Sequence, residues 1–110
     1  MDKKILVTEI RKMLGSFKNE DKCFSFVSLE PVYPSLSDST YILNVFAPWV
    51  KNISCYGAID IIIDKMHKTM SKTYRNWISR VHIYENENDI IPHCEGIIEI
   101  ENNIGQEECI

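Results

Sequence analysis

The run from Tyr56 to Ile78 constrains the fold most. At 100° per residue, Ile59, Ile62, Ile63, Met66, Met70, Tyr74 and Trp77 fall within about a third of a helix circumference, and Lys65, Lys68, Lys72 and Arg75 fall on the opposite face. A stripe this wide has to be buried, so the rest of the chain must supply an apolar surface to receive it. Asp60, Asp64 and His67 lie along one flank, and Asp64 stands four residues before Lys68, the favourable order for a helical ion pair.

The remaining segments supply that surface. Leu6, Ile10, Met13, Leu14 and Phe17 recur at three- and four-residue steps and predict a first helix of about sixteen residues, ended by Gly15 and the polar run 18–22. Cys23 to Leu29 and Tyr41 to Ala47, rich in aromatic and β-branched residues, read as two antiparallel strands. Pro31 and Pro34 open a connection too long for a tight hairpin, and they argue against a central ladder position for that end of the first strand. Val81 to Tyr84 alternates as a strand, Glu85 to Asp89 reads as a turn, and Gly96 to Glu101 as a last strand.

The expectation is one domain over residues 1–110, of α+β class. Its two layers are an antiparallel sheet of about four strands and two helices on one face, in the order α-β-β-α-β-β. A ferredoxin-like arrangement is the alternative, disfavoured because no strand precedes the first helix. With 110 residues, 45% of them hydrophobic, the chain can close a single core, and its acidic tail from about residue 102 is expected to fray. No apolar run approaches the ~18 residues that span a bilayer, and Glu9, Arg11 and Lys12 interrupt the N-terminal segment before it resembles a signal peptide. Four cysteines, Cys23, Cys55, Cys94 and Cys109, show no CxxC and no dense spacing, which predicts free thiols and a cytoplasmic protein.

Charge is divided sharply along the chain. Residues 65–80 hold Lys65, Lys68, Lys72, Arg75 and Arg80 with no acid, and residues 81–110 hold eight Asp and Glu with no Lys or Arg. The basic helix face could track phosphates, yet a pI near 5.3 and the lack of any helix-turn-helix, RNP-like aromatic box, GxxG loop or zinc-finger spacing disfavour nucleic acid. A solvated face opposite an apolar stripe explains it more simply. The acidic segment could instead fold back onto those cations, which would leave no charge for a partner.

Motifs for catalysis are sparse. There is no Walker loop, GxGxxG, GxSxG, HExxH or EF-hand loop, so neither a nucleotide nor another cofactor is expected. His67, His82, His93, Cys94, Cys55 and Cys109 match no metal-ligand spacing, and no metal is expected. Asp60, Asp64 and His67 read as a surface charge ladder. Cys55 is the one nucleophile candidate, because a helix start lowers a thiol's pKa, although a small hydrophobe beside a Ser54 N-cap is the plainer role.

These features point to a small non-catalytic binding module with a protein partner, self or other, a homodimer included. One concrete form is an acidic protein that caps a basic partner, as immunity- or antitoxin-like proteins do. The contact residues would be Glu85, Glu87, Asp89, Glu95, Glu99 and Glu101, with Trp49 at an aromatic edge. A small enzyme or small-molecule binder using Cys55 with a histidine is one alternative. Nucleic-acid binding through Lys65, Lys68, Lys72 and Arg75 is the other.

Overall fold

A computed structural model describes residues 2–90 and 96–103, the side chain of Glu87 excepted. Helix α1 (Lys3–Lys18) starts where the Asp2 carboxylate accepts a hydrogen bond from the Lys4 backbone N–H at 2.8 Å, satisfying one of the donors a helix start leaves open. It buries Leu6, Ile10, Met13, Leu14 and Phe17, the stripe predicted from spacing. Gly15 lies inside the helix, and the chain turns away at Asp21, whose φ of 60° lets the Lys22 N–H reach the Phe17 carbonyl at 3.0 Å.

Strands β1 (Phe26–Pro31) and β2 (Tyr41–Phe46) pair antiparallel, with Val27 opposite Val45 and Leu29 opposite Leu43. A 3-10 turn (Pro48–Asn52) then leads to α2 (Cys55–Thr69), whose start is capped by the Ser54 hydroxyl accepting from the Gly57 N–H at 3.0 Å. The short helix α3 (Lys72–Arg75) precedes β3 (Ile78–Ile83), and β4 (Ile98–Asn102) follows a second 3-10 turn, Glu87–Asp89. The strand order is β3-β2-β1-β4, and a single buried cluster joins α1 and α2 to Val27, Leu29, Leu43, Val45, Val81 and Ile100. The chain is thus α+β with helices packed on a four-stranded sheet. Among the described residues no helix is long and apolar enough to cross a membrane.

Three details differ from the sequence reading. The sheet is mixed, because β3 lies parallel to β2. A parallel neighbour requires a crossover, and α2 is that crossover. Second, β1 is a central strand despite its proline. Pro31 is its last residue and β4 pairs only as far as Leu29, so the missing N–H costs the β4 ladder nothing.

Third, the long helix is broken. Met70 and Ser71 are extended (ψ 144° and 151°), α3 makes one further turn, and Ile78 already belongs to β3. An unbroken helix over 56–78 would run about 35 Å, against roughly 20 Å for a six-residue strand, so the chain must turn back early to lay β3 beside β2. Arg75 secures the turn, its Nη1 donating to the His67 and Met70 carbonyls at 3.2 and 3.4 Å. The buried positions of α2 are Ile62 and Met66 of the predicted stripe together with Ala58, which the stripe did not include, and Ile63 is 39% exposed.

Candidate functional site

Strand alternation sends Val27, Leu29, Leu43 and Val45 beneath the helices and the residues between them to the other face of the sheet. That second face carries Phe26, Ser28 and Glu30 from β1, Ile42 and Asn44 from β2, and Arg80 and His82 from β3. No helix covers it. The connection after β3 begins at the Val45 end of the sheet and has to reach the Leu29 end of β1 at the opposite edge. Its first residues lie on this face and help bury it, the Tyr84 ring meeting Phe26 edge-on at 6.4 Å and His82 at 4.9 Å.

Between this connection and the strands is an open cavity of about 440 Å³, lined among others by Glu30, Asn44, Arg80, His82, Glu85 and Asp89. Asn44 is only 1% exposed, and its Nδ2 donates to Glu30 Oε1 at 3.1 Å and to Ser28 Oγ at 3.4 Å. These bonds satisfy a buried amide and hold the Glu30 carboxylate in place. Neither Arg80 nor Asp89 forms an ion pair among the described residues.

A second cavity of about 300 Å³ shares Tyr84 and Glu85 with the first and has Phe46, Ala47, Val50 and Cys55 in its wall. Cys55 there donates its thiol hydrogen to Glu85 Oε1 at 3.3 Å. The bond to this carboxylate, then burial and the carboxylate's charge, push the thiol pKa up. The effect opposes the lowering expected from the start of α2, because a full charge at hydrogen-bond distance outweighs a partial helix charge. His67 and His82 do not line this cavity, and His93 lies outside the described residues. Among the described residues no group of three or more His, Cys, Asp or Glu is placed to hold a metal ion. Cys55 is a free thiol whereas Cys23 is disulfide-bonded, so the expectation of free cysteines fails at Cys23. Cys94 and Cys109 lie outside the described residues.

The basic face formed by α2 and α3 is largely used internally. Lys65 pairs with Glu20 and lies 5.2 Å from the centre of the Phe17 ring, Lys68 pairs with Asp64 at 2.9 Å, and Arg75 closes the end of α2. Lys65 lowers the Glu20 pKa through its hydrogen bond, and the Asp64–Lys68 bond lowers one pKa and raises the other. Of the four cations, only Lys72 has no such partner among the described residues. The partners are Glu20, Asp64 and backbone carbonyls, with no acid from residues 81–103 among them, so the described part of the acidic segment does not fold back onto this face.

The acids themselves are dispersed. Glu85 and Asp89 line the large cavity and Glu99 sits opposite Ser28 on the helix-free face. A bulge at Val27 and Ser28 interrupts the alternation before Glu101, whose Oε2 accepts from Asn103 Nδ2 at 3.0 Å. Glu95 and the side chain of Glu87 lie outside the described residues. Trp49 belongs to a ring cluster, 5.9 Å from Phe17 and 5.7 Å from Phe24, and packs against the core. Sequence reasoning missed Ser28, Glu30 and Asn44, polar residues at alternate positions in otherwise apolar strands. It also missed a shallow depression of about 360 Å³ between α1 and Ile98, lined by Lys3, Lys4 and Arg11. Comparison with protein-family models, with curated proteins and with solved structures found no match.

Proposed function

We propose that the chain is a small non-catalytic binding module whose working surface is the exposed acidic margin of the helix-free sheet face, and that its partner is a basic protein. The carrying observation is the contrast between the two charged regions. Lys65, Lys68 and Arg75 have partners within the fold, whereas Asp89 has no ion pair among the described residues, and Glu30, Glu85 and Glu99 share its face. Surface carboxylates grouped on one face raise the encounter rate with a cationic partner and fix its orientation. An immunity- or antitoxin-like capping role is one form of this reading; a second copy of the chain, with a net charge of −4, fits it less well.

The alternatives have less support. A Cys55 nucleophile is held as a thiol by Glu85, and nucleic-acid binding through α2 would have to break the Lys65 and Lys68 pairs. A cytoplasmic site, suggested by cysteine spacing, has the Cys23 disulfide against it, since such bonds persist mainly in oxidising compartments. The test is affinity capture by the wild-type chain and by a variant carrying Glu85→Lys, Asp89→Lys and Glu99→Lys. Loss of the captured partner in the variant is expected; capture at the wild-type level contradicts the proposal.

A further inference from the structure

Arg80 stands in a cavity that Glu30, Glu85 and Asp89 also line, and it has no ion pair with any of them. Charges of both signs therefore face one space without meeting each other. Beneath them is a buried polar network, Asn44 with Ser28 and Glu30, where apolar side chains of similar volume would serve stability at least as well. The space, about 440 Å³, is within the range of small-molecule sites.

We infer that this cavity binds a small zwitterion, its cationic group held by Asp89 and Glu30 and its carboxylate held by Arg80. A purely anionic ligand would meet Glu30, Glu85 and Asp89, and a purely cationic one would meet Arg80. A ligand carrying both charges on a short skeleton meets each with its opposite. Because the carboxylates outnumber Arg80, a basic α-amino acid fits better than an acidic one. The Asn44 bond to Glu30 fixes that carboxylate before the ligand arrives, and a guanidinium of Arg80 can take a carboxylate through two hydrogen bonds. This function goes beyond partner capture, and Glu99, on the same face but outside the cavity lining, separates the two.

The experiment is isothermal titration calorimetry of the full chain with L-lysine and L-arginine, and with putrescine and L-glutamate as comparison ligands. Saturable binding of a basic amino acid is expected, with putrescine, which lacks the carboxylate, and L-glutamate weaker. Arg80→Gln and Asp89→Asn should each weaken it about tenfold or more, the loss of one charge-assisted contact, and Glu99→Gln should leave it unchanged. Circular dichroism of each variant checks that it is folded; Arg80 and Asp89 are both exposed, so neither change opens the core. No binding of either basic amino acid at millimolar concentration would overturn the inference, as would equal binding of putrescine or affinity indifferent to Arg80→Gln and Asp89→Asn. Loss of partner capture on Glu99→Lys with amino-acid binding intact would leave the two functions separate.

Discussion

At Cys55 two residue-level effects compete. The start of α2 favours a thiolate and the Glu85 carboxylate, 3.3 Å away, favours the thiol. The carboxylate prevails because it carries a full charge at contact distance. A raised thiol pKa means that the protonated form persists as pH climbs through the ordinary thiol range, so the reactive thiolate appears only above it. Alkylation of Cys55 by iodoacetamide near neutral pH is therefore expected to be slower than that of a free cysteine, and Glu85→Gln to accelerate it. Equal rates in the two proteins would show that Glu85 does not hold the thiol. The sequence allowed the first of these effects to be read and hid the second, since thirty positions separate Cys55 from Glu85 and only the fold brings them together.

At the scale of elements, α1 was legible almost to its ends, because its stripe is regular and its core-facing side is unambiguous. The 56–78 run was legible as helix but not as a broken one. Its periodicity continues through Met70, Tyr74 and Trp77, all of which pack with the core by another route. What breaks it is the need for β3 to return beside β2, a demand of topology that no local residue announces. The rotation of α2 is likewise a tertiary outcome. Ile62 is fully buried and its neighbour Ile63 is 39% exposed. Ile62→Ala is expected to cost about 2–5 kcal/mol and Ile63→Ala under about 1 kcal/mol. Chemical denaturation of the two variants measures the difference, and equal costs would contradict this orientation of the helix.

Over the whole molecule, the division of charge along the sequence becomes a division between faces for every cation of the 65–80 block except Arg80, which lies with the acids. The cations of α2 and α3 lie on the helical layer and are mostly paired, and Glu30, Glu85, Asp89 and Glu99 lie with the helix-free face of the sheet. The order of charged residues revealed that the charges were separated, and helical periodicity revealed where the basic ones went. The face was not legible, because Glu30 and Asn44 are single polar residues in apolar strands whose meaning depends on which side the helices cover. Nor could spacing show that Glu20, distant in sequence, is the partner of Lys65. The binding account rests on this separation of faces. Its most direct test is an NMR titration of the isotope-labelled chain with a lysine decapeptide. Shift changes concentrated at Glu30, Asn44, His82, Glu85, Asp89 and Glu99, with residues 65–75 of α2 and α3 unmoved, are predicted. Changes spread evenly over the surface, or centred on α1 and α2, would contradict the account.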